Sequence, residues 1–593
     1  MELKTQVKAL NYTKKLLTGD TDGIVPWANY PQKPVFRKAS RQMVPLQTAV
    51  PEQQGIPSRQ LNEMLCRLAA MPQAKAHSLL VVRGGKLVLQ ADFAPYTADL
   101  WHVTHSLCKS ITGMAIGLLV DKGLLSIEKP LYEIFPEYFN LFTSRRTRAL
   151  TVEHLLTMSS GINFRELGAV LERDWLRSYF EADVLFEPGT KFDYNSMNTY
   201  VLGCIVRRLT QKSLSRFLTE ELFDPMGFGP FEWETCPLGN EKAGWGLYMM
   251  PQDMAKLGML LLNKGEWSYS DHTKMRLLSE EWVQQMTTTH QTGPQGSYGM
   301  QIWTLESGAF AMNGMYGQYV YCVPKNDLVA VLCSGSANLF AESPVLDLMR
   351  ENFDSPTFGQ ALPEDKSAYE ALQKTVAQLR FDTPVPPAVQ PVQIPWYKAL
   401  LQKWAAVPQP AEETEWQKMQ KLLDGRQFTC EKNKVGLLAL MMQCMQSNHT
   451  GGLCKVRFAA QGQQMMLYWH ERDEQFEIPL DETVPAETTL SIGGEQWKVA
   501  AVAKATTNED DVPVLKIQLC FLEHSAVRRM KFFFYPTETV LRMEETPSVG
   551  ESLNQMRGTP QADLILDLFK DAGYAKYRFD RFSSPELKLT PKE

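Results

Sequence analysis

The 593-residue chain is 44% hydrophobic and 22% charged, an ordinary globular composition long enough for two or three domains. Its formal net charge of -6 leaves no basic footprint for nucleic acid, and no run of eighteen apolar residues offers a membrane span. Ten scattered cysteines without a Cys-x-x-Cys pair, no P-loop and no complete dinucleotide fingerprint imply no metal and no cofactor, and the thiols are expected to be buried and reduced. The polar start carries no apolar leader core, so the expected location is cytoplasmic.

Residues 1–49 are irregular, with Pro26, Pro31, Pro34 and Pro45 opposing regular structure, and are expected to pack as an extension on the first folded domain. From Ser78, two β-branched runs flank Gly84-Gly85 and predict a hairpin ending near Asp92. Next comes Ser106-Leu-Cys-Lys109 at the head of a helical run reaching Val120, with Gly123 as its cap. Serine and lysine one turn apart share a helix face, and that pairing can make an acylating nucleophile without histidine. The same spacing recurs at Ser126-Ile-Glu-Lys129, but that copy comes after the cap and runs into Pro130, with no helix to hold its lysine.

From Leu131 to about Gly265 the pattern is mostly helical and loop-rich, with turns at Pro188-Gly189 and Pro225-Met-Gly227. Within it, Tyr194-Asn195-Ser196-Met-Asn198 lies after a turn and before a helix, where the Tyr194 phenol can enter a cleft and relay protons. Gly314-Met315-Tyr316-Gly317-Gln318 then leads into a second hairpin, 318–323 and 328–333, around Pro324-Lys-Asn-Asp327. Glycines there allow close approach of a substrate and can free a backbone N–H for an oxyanion. A helix over 345–352 closes this region. Early and late hairpins on either side of a helical insert imply one antiparallel sheet built from both ends and flanked by helices.

Asp382 to Pro395 carries five prolines and predicts a stiff linker. A short helix near 412–423 comes next, then strands at 454–460, 464–469, 497–505, 514–523 and 527–535, and an amphipathic helix over 562–575. The expected organisation is an extension (1–49), a hydrolase domain (50–380), linker and helix (381–425) and a β-rich, barrel-like accessory domain (426–593).

Ser106-Leu-Cys-Lys109, Tyr194-Asn-Ser196 and Met315-Tyr-Gly317 together resemble the motifs of the serine β-lactamase and penicillin-binding-protein superfamily, in its class C β-lactamase-like branch. Leu150–Gly161 and Gly244–Gly258 extend the similarity over roughly residues 50–355. The resemblance implies an α/β (α+β) fold, an antiparallel sheet flanked by helices with an all-helical subdomain. The barrel-like, lipocalin-like C-terminal region resembles accessory domains of some relatives. It further implies Ser106 as acylated nucleophile, Lys109 as its activating partner, Tyr194 as the family tyrosine, and the N–H groups of Ser106 and Gln318 as oxyanion hole. Gly317, Ser196, Met315, Tyr316 and Asn198 complete the expected substrate-binding set.

Two departures bear on substrate. Ser196 stands where the family commonly has asparagine, and Met315 stands where it has lysine or histidine. A thioether cannot pair with the carboxylate of a β-lactam or D-alanyl peptide. The expectation is therefore an esterase- or nylon-oligomer-hydrolase-like serine hydrolase acting on a small ester, amide or peptide. The alternatives are a β-lactamase or D,D-peptidase, and a non-catalytic binding protein on the same fold. The accessory domain is expected either to cover the cleft or to pair chains, and the oligomeric state is open.

Overall fold

The β-branched runs around Gly84-Gly85 form antiparallel strands, Ala76–Arg83 against Lys86–Asp92. Both glycines have positive φ, 56° and 72°, which the tight turn requires. On its other side, Ala76–Arg83 pairs with Leu328–Ser334, with Leu80 opposite Val331. That strand in turn pairs with Gln318–Val323 across the Pro324-Lys-Asn turn. One eight-stranded sheet is thus assembled from both ends of the region, completed by Phe310–Gly314, Trp303–Thr304, Gly296–Tyr298 and Gln291–Gly293.

This computed structural model describes residues 33–269, 273–337, 343–380, 413–446, 448–449, 451–472, 474–548 and 584–592. The expected extension as far as residue 32, the proline-rich stretch 382–395 and the closing helix 562–575 lie outside the described residues.

The central strands are buried on both faces, so their sequences are continuously apolar rather than alternating. Alternate side chains nonetheless enter different cores. Leu80, Val82, Val329 and Val331 face the helices Cys108–Asp121, Ser196–Thr210 and Pro251–Leu262. Leu79, Val81, Ala330 and Leu332 face Ser58–Ala69 and Lys366–Arg380. The run read as helical from Leu131 also contains the strands Phe231–Trp233 and Leu247–Met249, joined to His102–Val103 in a three-stranded sheet. Three-residue strands leave no period to detect, and one partner lies more than a hundred positions upstream.

The C-terminal region forms a ten-stranded antiparallel near-barrel. The five expected strands are present, and Gln427–Cys430, Glu474–Leu480, Ala486–Ile492, Thr539–Thr546 and Glu586–Lys592 are added. Its interior is filled by Phe458, Trp469, Trp497, Phe521, Phe532 and their neighbours, with the helix Glu415–Leu423 packed against them. No helix among the described residues is long and apolar enough to cross a membrane. The nine described cysteines are free.

Candidate active site

Ser106 lies in a single 3₁₀ turn, His105–Leu107, that leads into the helix Cys108–Asp121. Apolar and small residues surround that helix on every side, so it runs through the core, and Gly123 (φ 68°) with the Leu124 N–H to Leu119 O bond closes it. From Leu100 to Leu119 every residue is buried except Ser106. The fold therefore presents one hydroxyl from an otherwise inaccessible segment. His105, just before it, holds φ +47°, a conformation costly for a non-glycine residue and kept only where the surroundings impose it.

Lys109 reaches Ser106 with Nζ 2.8 Å from Oγ, and also donates to the Gly244 carbonyl at 2.6 Å. It is 1% exposed. Burial pushes its pKa down to about 8, against smaller opposing contributions from Cys108 and Glu166. About one-tenth of the lysine is then neutral at pH 7, enough to serve as a base.

Gly244 was not singled out by its chemistry in the sequence, because a carbonyl carries no residue signature. Glycine is required there: a Cβ would lie 2.8 Å from the Ser196 carbonyl. Ser196 is the buried first residue of the helix Ser196–Thr210 and packs against this glycine. The loop is fixed by the buried pair Lys242–Glu234, at 2.7 Å.

Tyr194 is half-buried and hydrogen-bonds the Ser106 side chain, and its ring centroid lies 5.0 Å from Lys109 Nζ. Burial raises its pKa far above the ordinary phenol value, against the Ser106 hydrogen bond, so the group is a neutral phenol. Three neighbours set its position. Asn195 caps the helix after it through the Met197 N–H (2.9 Å) while its Nδ2 donates to Ile162 O and Phe164 O. Arg165 donates to the Tyr194 carbonyl at 2.6 Å and pairs with Asp193. Trp303 stacks on the tyrosine ring at 5.6 Å.

The strand Phe310–Gly314 ends against the loop that carries Ser106. A Cβ on Gly314 would stand 2.1 Å from Thr104 O and 3.1 Å from Leu107 N. The turn after it has φ +65° at Tyr316 and +78° at Gly317. Met315 is half-buried on this turn, whereas Tyr316 is turned inward, edge-on to His105. The Gln318 side chain also points inward, its Nε2 donating to Ser334 O at 2.7 Å and Tyr316 O at 3.1 Å. What remains for an oxyanion is main chain.

Asn198 is wholly buried, accepting from Ser160 Oγ and Tyr179 OH at 2.8 Å each. It fastens its helix to neighbouring loops and presents no edge to a ligand. The structure thus brings Ser106, Lys109 and Tyr194 into mutual contact, sets the Gly314–Gln318 turn beside them, and turns Asn198 and Tyr316 into the interior. No group of three or more His, Cys, Asp or Glu side chains able to hold a metal ion occurs among the described residues.

Residues 61–345 match the Beta-lactamase family model. A 6-aminohexanoate-dimer hydrolase of Paenarthrobacter ureafaciens is 26% identical over 302 residues, covering 43% of this chain and 72% of that protein. Protein flp of Staphylococcus aureus (strain MW2) is 25% identical over 164 residues, 25% of this chain and a third (33%) of its own length. A solved structure from Bacillus anthracis, provisionally named a 6-aminohexanoate-dimer hydrolase, is 24% identical, with 58% of this chain and 90% of that one aligned at a TM-score of 0.43.

Proposed function

We propose, from the premise that residues 61–345 belong to the β-lactamase/transpeptidase-like serine hydrolase superfamily, that this protein cleaves a small ester or amide through an acyl-enzyme on Ser106. The observation that carries the reading is the 2.8 Å contact between Ser106 Oγ and a buried Lys109 whose pKa is lowered to about 8.

In the acylation step, neutral Lys109 accepts the Ser106 proton as Oγ attacks the substrate carbonyl. Negative charge develops on the carbonyl oxygen and is received by the N–H groups of Ser106 and Gln318. Tyr194, kept neutral, passes its proton to the departing alkoxide or amine and recovers one from Lys109. Water then attacks the acyl-enzyme with the same groups in reverse, restoring Ser106.

Substrate preference derives from Met315. With a half-buried thioether on the turn, the site favours neutral acyl groups over carboxylate-bearing ones. A 6-aminohexanoate dimer is the substrate named for the Paenarthrobacter relative, which supports a small acyl substrate here. A fluorophosphonate probe tests the nucleophile: wild type labels and Ser106→Ala does not. Equal labelling of the two, or none of wild type, sinks the reading.

A β-lactam or D-alanyl peptide is the second reading, favoured by the family match itself. A panel of p-nitrophenyl esters, D-amino-acid amides and nitrocefin separates the two. Nitrocefin turnover matching ester turnover would overturn the preference assigned to Met315.

A further inference from the structure

Behind the nucleophile loop, the barrel sends one tight turn into the sheet-and-helix half of the molecule. The turn, residues 522–526, joins the strands Pro513–Phe521 and Val527–Phe534. Leu522, Val527, Cys520 and Ala500 of the barrel form one apolar cluster with Trp101 and Val103 just upstream of Ser106. Polar contacts pass through this seal. Glu523 accepts the Trp101 indole N–H at 2.5 Å, pairs with Lys33 Nζ at 2.7 Å, and takes the Val103 N–H on its main-chain carbonyl at 2.9 Å.

Ser525, two residues on, is 1% exposed. Its hydroxyl accepts from Gln318 Nε2 at 3.1 Å and lies 3.4 Å from His105 Nε2. Its carbonyl presses on Gly335 so closely that a Cβ there would be 2.7 Å away. One hydroxyl therefore touches the two residues whose main chain decides the acylation geometry. His105 precedes the nucleophile and holds a strained φ, and Gln318 begins the oxyanion strand.

We propose that Ser525 is a positioning residue for acylation, holding His105 and Gln318 in register so that the N–H groups of Ser106 and Gln318 keep the spacing an oxyanion needs. The barrel is then a part of the active site built in from behind, neither a lid over the cleft nor a detachable appendage. The inference rests on the serine hydrolase reading above. Its physical ground is that strained backbone persists only where neighbours over-determine it. Oxyanion stabilisation also depends on donors held to a fraction of an ångström.

The test uses the full-length chain and single-turnover acylation by a p-nitrophenyl ester, with fluorophosphonate labelling in parallel. Ser525→Ala is expected to lower the acylation rate constant about tenfold or more while leaving the ester dissociation constant within about twofold. Ser525→Thr, which keeps the hydroxyl, is expected to recover at least about half the wild-type rate. Acylation of Ser525→Ala within about twofold of wild type overturns the proposal, as does a threonine variant as slow as the alanine one. Should Ser525→Ala not fold, Ser525→Cys, close in size, replaces the hydroxyl with a thiol that is a poor hydrogen-bond partner for Gln318 and His105. An unchanged acylation rate there overturns the proposal equally. Failure of wild type to label removes the serine hydrolase reading and this inference with it, whereas labelled wild type with an indifferent Ser525→Ala removes this inference alone.

Discussion

Two segments of this chain carry the same Ser-x-x-Lys spacing and have different fates. At Ser106 the residues wind into a buried helix, and the lysine amine meets the hydroxyl at 2.8 Å. At Ser126 the serine is exposed and its hydroxyl accepts the Glu128 N–H at 3.3 Å, closing a local turn. The Lys129 N–H closes the same turn onto the Ser126 carbonyl at 3.1 Å. Spacing brings two side chains together only when the backbone between them is helical and continues. It makes them reactive only when burial removes water from the amine. The first copy meets both conditions because Leu107, Cys108, Ile111 and Ala115 bury the helix around it.

The sharpest way to break this contrast is to delete the two hydroxyls. Ser106→Ala is expected to reduce ester turnover by at least about a thousandfold, while Ser126→Ala stays within about twofold. Loss of activity at Ser126 would erase the distinction. The lysines come next. Lys109→Ala is expected to lower kcat/KM by about 100- to 10,000-fold, with Lys129→Ala unchanged. Lys109→Arg, which keeps the charge but cannot supply a neutral base, should be nearly as impaired as alanine.

Lys109 also sets a pH signature. Its pKa is lowered to about 8, so the amine is protonated below that value and neutral above it. The logarithm of kcat/KM should rise with unit slope up to about pH 8 and then level, and a profile flat from pH 6 to 9 would exclude Lys109 as base. Smaller still is the effect of loosening Tyr194. Asn195→Ala removes the cap at Met197 N, and is expected to cost about 1 kcal/mol of stability and about tenfold in kcat. Stability is read by urea unfolding, and an unchanged kcat would detach Tyr194 from the chemistry.

The last effect falls on stability rather than turnover, and concerns the rear of the Ser106 loop rather than its front. His77, His102, His105 and His524 are all buried there, near Tyr96, Lys33 and Lys109. Burial, then neighbouring positive charge, pushes His105 down to about 3; burial takes His102 down to about 4 and also holds His77 and His524 well below the ordinary imidazole value. Above pH 6.5 these rings are neutral whether folded or unfolded. Below it the unfolded chain takes up protons that the folded one refuses. Stability should therefore fall as pH drops from about 6.5 toward 4, by up to about 1.4 kcal/mol per pH unit for each histidine. Urea midpoints over that range check this, and His524→Gln should make the slope shallower. An identical slope would show that His524 does not contribute.

Legibility tracked the range of the interactions involved. Both hairpins of the sheet were readable, since a Gly-Gly pair or a Pro-Lys-Asn-Asp turn between apolar runs is a local signal. So were the helix after Ser106 and five barrel strands. Glu474–Leu480 and Ala486–Ile492 were not, because their exposed positions are polar, few apolar residues mark the inward side, and Pro479 argues against a strand. In the site, Ser106 and Lys109 stood out by their spacing at the head of a helix, and Tyr194 by its place between a turn and a helix together with the family resemblance. Gly244 did not, because its role is a carbonyl, and Asn198 looked available because sequence does not show which way an amide turns.

Local patterns in the chain marked both hairpins, the helix after Ser106 and a shared serine–lysine face, because a helical turn and a two-residue strand period operate over a few positions. Tertiary structure decided which of two identical spacings is buried, which carbonyl receives Lys109, and that Tyr316 and Asn198 face inward. It alone brought Ser525 to Gln318 and His105, across separations of 207 and 420 residues. Contacts of that range depend on how whole sheets pack, and leave no pattern in any short window of sequence.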